Sequence, residues 1–120
     1  MSDTVKKFED LNVWKEGTRL AVEIYKRLSN CRDYSFRDQI QRAVVSIPSN
    51  IAEGQGRDTT ADFLRFLSIA NGSRRELETQ TIIAQRLDYI SEQQSEQILD
   101  LATEVGRLRH GLADSLKRKQ

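Results

Sequence analysis

The stretch Asp38–Arg57, DQIQRAVVSIPSNIAEGQGR, decides the fold of this chain. Its apolar residues recur at helical spacing and so share one face of an amphipathic helix; they are Ile40, Ala43, Val44, Ile47 and Ile51. Pro48 lies within this helix, where it removes a backbone donor at a cost of about 3 kcal/mol. The helix must recover that cost through packing, and Pro48 therefore predicts a bend around neighbouring helices. Gly54 and Gly56 predict the end of the helix, because glycine readily takes the left-handed capping conformation.

Length and composition bound the fold and exclude several classes of site. The 120 residues fit one domain, and they can bury a core without disulfides or metal. Cys31 and His110 are the only cysteine and histidine, so no internal disulfide forms and a metal site would lack its usual ligands. We expect no cofactor. No apolar run approaches the roughly 20 residues of a membrane span, and we expect no membrane partner.

The pattern along the chain predicts an all-α fold with four helices, at about residues 10–28, 35–53, 60–88 and 92–117. Ser35 is the expected N-cap of the second helix. Thr59 and Asp62 resemble a capping box for the third, and Ser91 and Gln94 form one for the fourth. The connections are short, which favours an antiparallel up-and-down four-helix bundle over residues 1–120.

The third helix is apolar on two sides. Its main face carries Phe63, Phe66, Leu67, Ala70, Leu77, Ala84 and Leu87. Leu64, Ile82, Ile83 and Ile90 lie off that face. A helix with two apolar sides usually packs against more than its own bundle, so this pattern favours self-association.

Three segments together resemble a known family. FEDLNVWKEG at 8–17, the deciding stretch at 38–57, and DFLRFLSIANGSRRELETQ at 62–80 are similar to the four-helix-bundle family of 23S rRNA intervening-sequence proteins. The resemblance implies a cytoplasmic bacterial protein whose bundles assemble into a homo-oligomeric ring, a homopentamer. A more distant similarity runs to the accessory protein of diversity-generating retroelements, a basic pentameric barrel that works with a reverse transcriptase and nucleic acid.

Two residues depart from the family pattern. Gln41 stands where a second basic residue is expected beside Arg42, which thins the basic surface. Asp88 stands where glycine is common, so we expect the third helix to end differently.

The candidate nucleic-acid-binding residues are arginines of the second and third helices, namely Arg42, Arg57, Arg65, Arg74 and Arg75. The net charge of +1 does not by itself indicate nucleic-acid binding. A ring would nevertheless repeat each arginine around its axis and contact phosphates with a positive belt. The alternative is that these arginines are solvated or paired with acidic neighbours.

Asn50 and Glu53 lie three residues apart on one helix face and are candidates for a structural polar network. Their expected partners are Ser73, Arg74 or Arg75 on the third helix, and the alternative is a ligand site between helices. Most aromatic residues, Tyr25 included, fall on apolar stripes and are expected in the core. Tyr34 and Tyr89 lie near helix ends and are freer to stack on bases.

The sequence contains no nucleophile–base pair, no metal-ligand spacing and no carboxylate pair suited to acid–base chemistry, so we expect no enzyme. The leading hypothesis is a non-enzymatic homo-oligomer that binds RNA or DNA through arginines. The alternative is an assembly or adaptor module that binds a protein partner and no nucleic acid.

Overall fold

The computed structural model describes residues 7–119, which form four α-helices and contain no strand. A short 3₁₀ turn at Phe8–Asp10 precedes α1 (Asn12–Arg27), α2 (Tyr34–Gln55), α3 (Thr60–Arg86) and α4 (Glu92–Arg118). This architecture confirms the predicted all-α four-helix bundle.

The helices run alternately up and down in chain order, and the bundle that they form measures 49 × 23 × 20 Å. The hydroxyl oxygens of Ser46 in α2 and Ser73 in α3 lie 2.8 Å apart, which sets the antiparallel register of the α2–α3 pair. At one end of the bundle, the Nη2 of Arg27 donates to the Oε1 of Gln97 at 2.9 Å and joins α1 to α4. Within residues 7–119, no Cα atom of α1 lies within 8 Å of one in α3, and the same holds for α2 and α4 across the other diagonal.

The core lies along the bundle axis and includes the apolar face of the deciding stretch. Ile40, Val44, Ile47 and Ile51 are all completely or almost completely buried. They pack with apolar residues of the other three helices; the largest of these are Leu20, Ile24, Leu67, Leu77, Ile98 and Val105. The helical periodicity therefore predicted the buried face of α2 correctly.

Pro48 is buried inside α2, where it faces α1. A Cβ added to Gly17 would lie 3.4 Å from the Cγ2 of Ile47 and 3.7 Å from the Cβ of Pro48. Gly17 thus brings α1 close to the proline. This close packing offsets the free-energy cost of the backbone hydrogen bond that Pro48 cannot donate.

The N-cap and the C-terminal cap of α2 both differ from their predictions. The N-cap is Asp33 and not Ser35, because the Oδ1 of Asp33 accepts the backbone N–H of Phe36 at 3.2 Å. At the other end, Gly56 has a φ of −82°, and no glycine of the described chain adopts a positive φ. α2 therefore ends without the left-handed glycine cap that the sequence favoured.

The N-caps of α3 and α4 are the residues that the sequence predicted, Thr59 and Ser91. The Thr59 hydroxyl accepts the N–H of Asp62 at 3.1 Å and caps α3. Ser91 and Gln94 form the complete reciprocal capping box of α4, as predicted.

The end of α3 is closed by Asp88, which adopts a left-handed φ of 62°. The N–H of Tyr89 donates to the carbonyl of Ala84 at 2.9 Å, and the N–H of Asp88 donates to the carbonyl of Gln85 at 3.0 Å. These two bonds form a Schellman motif, which usually places glycine at the left-handed position. α3 consequently ends at Arg86, two residues before the predicted end.

We expect Asp88→Gly to raise the free energy of unfolding by about 0.5–1 kcal/mol. Glycine removes the left-handed strain, and it also removes a negative charge from the negative end of the helix dipole. Urea unfolding followed by circular dichroism measures the change. Asp88→Asn is the control, because it removes the charge and keeps a side chain; a glycine variant no more stable than the asparagine variant would contradict the role of strain.

The carboxylate of Asp33 also accepts the hydroxyl of Tyr89 through its Oδ2 at 2.6 Å. This hydrogen bond raises the pKa of Tyr89 to about 12 and, with the Phe36 N–H, lowers the pKa of Asp33. The Tyr89 ring packs edge-on against Phe36, at 5.5 Å between centroids. Tyr89 is therefore held in place and is not the free stacking residue that its sequence position suggested.

We expect Tyr89→Phe to destabilise the protein most at neutral pH. Because the pKa of Asp33 is lower in the folded protein, the Tyr89–Asp33 hydrogen bond stabilises the fold fully above the pKa of an unfolded aspartate, about 4. This contribution is lost as the pH falls through the folded pKa. Because the pKa of Tyr89 is raised to about 12, the same hydrogen bond also stabilises the fold fully below about pH 10, and this contribution is lost as the pH rises towards 12. Urea unfolding at acidic, neutral and strongly alkaline pH should show the wild-type advantage shrinking at both extremes. Tyr34→Phe, at a largely exposed tyrosine, is the control; a pH-independent difference would contradict the prediction.

Candidate nucleic-acid interface

The predicted arginines lie in three different settings along α2 and α3. Arg42 and Arg75 are exposed, and within residues 7–119 neither takes part in an ion pair. Arg42 is four residues before Ser46, and Arg75 is two residues after Ser73. Because the helices are antiparallel and rise 1.5 Å per residue, both arginines lie on the same side of the serine contact, about 6 Å and about 3 Å from it along the axis.

Arg42 borders two shallow clefts on the outer side of α2. The cleft towards α3 is also lined by Gln39, Ser46, Ser73 and Glu76. The cleft towards α1 is also lined by Tyr25, Asp38, Gln41 and Val45. Gln41 is thus a neighbour of Arg42 on this surface, and its neutral side chain adds no positive charge there.

Arg57 and Arg65 meet at the turn between α2 and α3. Their Cζ atoms lie 4.8 Å and 4.6 Å from the centroid of the Phe66 ring, so both guanidiniums contact one aromatic ring. The Nη2 of Arg57 lies 3.0 Å from the Oε2 of Glu53, and the Nε of Arg65 lies 3.7 Å from the Oδ1 of Asp62. The two positive charges are therefore balanced locally by two exposed carboxylates.

Arg74 is set apart from the other four arginines. Its side chain is only 16% exposed and points into the seam between α3 and α4. Its Nε donates to the Oδ1 of Asn71 at 3.1 Å, and its Nη1 donates to the Oε2 of Glu78 at 2.9 Å. A surface that binds nucleic acid across α2 and α3 would not include it.

Asn50 and Glu53 do not form one network. The Nδ2 of Asn50 donates to the carbonyl and the hydroxyl of Ser46, at 2.8 Å and 2.9 Å, and Ser46 in turn contacts Ser73. Asn50 is half-buried and reaches α3 only through this serine. Glu53 is exposed and pairs with Arg57 on its own helix instead of Arg74 or Arg75.

A groove between α1 and α2 is the surface that sequence reasoning missed. It has a volume of about 370 Å³ and is lined by Thr18, Ala21, Val22, Tyr25, Lys26, Val45 and Pro48. Tyr25 is 45% exposed there, so its expected place in the core was wrong. Val22 is exposed beside it, and this apolar residue outside the buried face of α1 is a sequence signal for the groove.

The second apolar side of α3 is smaller than predicted. Ile82 and Ile83 are each more than 40% exposed, and Ile69 and Leu87 are similarly exposed. Ile90 is buried, because the chain turns back after the Schellman motif and places it in the core. Leu64 is half-buried against the same core. α3 therefore exposes isoleucines, but not the whole set that lay off its main face.

No helix among residues 7–119 has both the length and the apolarity to cross a bilayer. The same residues place no three potential metal ligands of the His, Cys, Asp or Glu type close enough to hold an ion.

The comparison with protein families confirms the resemblance. The model described as 23S rRNA-intervening sequence protein matches residues 9–111. The chain belongs to this family. The match of the 23S rRNA-intervening sequence family extends through most of α4, beyond the three segments that first suggested it.

One solved structure has the same fold as this chain. It is a crystal structure of a protein of unknown function from the S23 ribosomal protein family of Bacteroides thetaiotaomicron. That protein is 30% identical, with a TM-score of 0.79 over 84% of this chain and 97% of its own. No curated protein matches this member of the 23S rRNA-intervening sequence family.

Proposed function

We propose that this protein is a non-enzymatic, self-associating helical bundle of the bacterial cytoplasm that binds RNA or DNA. The arginine surface that we propose as its contact consists of Arg42, Arg57, Arg65 and Arg75. The observation that carries the proposal is the exposure of Arg42 and Arg75 without an acidic partner among the described residues. Such groups gain most from a phosphate, because no existing ion pair has to be broken.

Arg57 and Arg65 add to this surface at low cost. Exposed ion pairs contribute only about 0–1 kcal/mol, so a phosphate can replace Glu53 or Asp62 as their partner. Binding of this kind reads the phosphate backbone and not the bases, so we expect little sequence preference.

Self-association is the second part of the proposal, and the exposed apolar side chains support it. The α1–α2 groove and the isoleucines of α3 leave apolar area in water that a second subunit would cover. A ring, a pentamer by resemblance, would repeat each arginine in every subunit. The phosphate contacts would then add up although one subunit has a net charge of only +1.

The test is a fluorescence anisotropy titration into labelled single-stranded RNA, single-stranded DNA and duplex, at low and moderate salt. We expect binding that weakens steeply as salt rises, with little preference among base sequences. Absence of binding to all three at low salt would reject the nucleic-acid role. Light scattering on the same sample measures the assembly separately, and a monomer at working concentration would reject self-association.

The alternative is an adaptor that binds a protein and no nucleic acid. The α1–α2 groove favours it, since most of the side chains that line it are apolar. Pull-down from nuclease-treated cells separates the two functions. A partner that survives nuclease and is lost on Val45→Glu in the groove would favour the adaptor.

A further inference from the structure

Arg109 occupies a position of α4 that is otherwise buried. Ser95 and Ala102 precede it at seven-residue spacing, and both are buried. The same spacing leads on to Leu116, which packs against the core. Residues seven apart share one face of a helix, so Arg109 starts from the inner face of α4. Its Nε is buried, and the Nε–H donates to no acceptor within the described chain.

Arg74 reaches the same place from α3. A Cβ on Gly106, one turn before Arg109, would lie 2.6 Å from the Cζ and 2.8 Å from the Nε of Arg74. The guanidinium of Arg74 therefore rests directly on the backbone of α4. A side chain at position 106 would displace this guanidinium, which is the flexible end of Arg74.

Arg74 and Arg109 thus bring two positive charges to this part of the α3–α4 seam. Glu78 is the one carboxylate that hydrogen-bonds to Arg74 within residues 7–119, and Arg109 has no such partner there. Burial and the nearby charge of Arg74 both lower the pKa of Arg109. Arginine remains protonated under these conditions, so a partly desolvated positive charge is left without its counter-ion.

We propose that Arg74 and Arg109 form a binding site for a tetrahedral oxyanion of the phosphate type. The fork of a guanidinium matches phosphate oxygens, and two guanidiniums from different helices can hold one anion between them. The anion would engage the guanidinium of Arg109, whose buried Nε has no partner within the described chain. The oxyanion is either free phosphate or a backbone phosphate of nucleic acid; in the second case the site rests on the proposed function and extends the arginine surface to a second face.

Nuclear magnetic resonance on the wild-type protein tests the site without relying on a variant. Inorganic phosphate is titrated while the Nε–H signal of Arg109 and the amide signal of Gly106 are followed. Potassium chloride at matched ionic strength is the reference. We expect a saturable shift with phosphate alone; a shift that never saturates, or that chloride reproduces, would overturn the proposal.

Matched variants identify the residues. Arg109→Gln and Arg74→Gln should each weaken phosphate affinity about tenfold, as read from Gly106, because each removes a charged donor. Arg107→Gln on α4 and Arg86→Gln on α3 are the controls, since both arginines are exposed and lie outside the arginine surface. Unchanged affinity in Arg109→Gln, with its circular dichroism spectrum intact, would contradict the assignment.

A short single-stranded DNA oligonucleotide distinguishes the two sources of the oxyanion. If it displaces phosphate at Arg109, the site takes a backbone phosphate. If it leaves the Arg109 signal unchanged, the site takes a free oxyanion. Phosphate binding that persists when no nucleic acid binds would reject the proposed function and support this site, whereas nucleic-acid binding without any phosphate response at Arg109 would do the reverse.

Discussion

Replacing Gly54 with alanine is expected to lower the free energy of unfolding by about 1 kcal/mol, although alanine is the better helix former. Gly54 is buried where α2 meets α3. An added Cβ would lie 2.7 Å from the Cβ of Phe66 and 3.0 Å from the Cδ1 of Phe63. The Cβ of Phe66 is bonded to the α3 backbone and cannot swing aside, and the carbonyl oxygen of Phe63 would lie at 3.3 Å, so α2 and α3 would have to separate. Overpacking of this kind costs about 1–3 kcal/mol, which exceeds the gain of about 1 kcal/mol in helix propensity.

Gly72→Ala is the matched control. Gly72 is exposed in α3, and apart from the adjacent residues and the local helix backbone no heavy atom lies within 4 Å of a Cβ placed there. The same substitution should therefore raise the free energy of unfolding, by up to about 1 kcal/mol. Urea unfolding at one fixed protein concentration measures both variants. If the two changes have the same sign, Gly54 has no packing role.

Replacing Arg42 and Arg75 together with glutamine should lower the affinity for single-stranded RNA about tenfold at moderate salt. Both side chains are exposed and lie near the same height along the α2–α3 pair; Arg75, two residues after Ser73, projects from the side of α3 that faces away from α2. Each phosphate contact that is lost reduces the slope of log affinity against log salt by about 0.7 for a single strand. Anisotropy titrations across several salt concentrations measure the affinity and the slope together.

The control variant carries the same change in net charge at arginines that already have partners. Arg19→Gln with Arg107→Gln removes two exposed arginines that are paired with Glu16 and Glu104. We expect a much smaller loss of affinity from this double variant. An equal loss from both double variants would mean that net charge, and not the arginine surface, governs binding.

The helices and their buried faces were predictable because periodicity is a local property of the chain. The face of Ile40, Val44, Ile47 and Ile51 required only the spacing of apolar residues. The N-cap of α2 was harder to choose, because Asp33 and Ser35 are both good caps. The hydroxyl of Tyr89 favours Asp33, and this contact comes from a distant part of the chain.

The settings of the five arginines were only partly predictable. Spacing alone indicates that Arg57 can pair with Glu53 and that Arg74 can pair with Glu78, because each pair is four residues apart. No local pattern indicates that Arg74 rests on Gly106. That contact depends on how α3 and α4 cross, as does the role of Gly54 against Phe66.

The carboxylate of Asp33 joins the first turn of α2 to the turn that follows α3. If the Tyr89 bond breaks, Asp33 can rotate away from the Phe36 amide, and both ends lose their fixed geometry. These two chain segments should therefore open as a single cooperative unit in hydrogen exchange. The amides of Phe36 and Tyr89 should then share one opening free energy, well below that of the buried middle of α2.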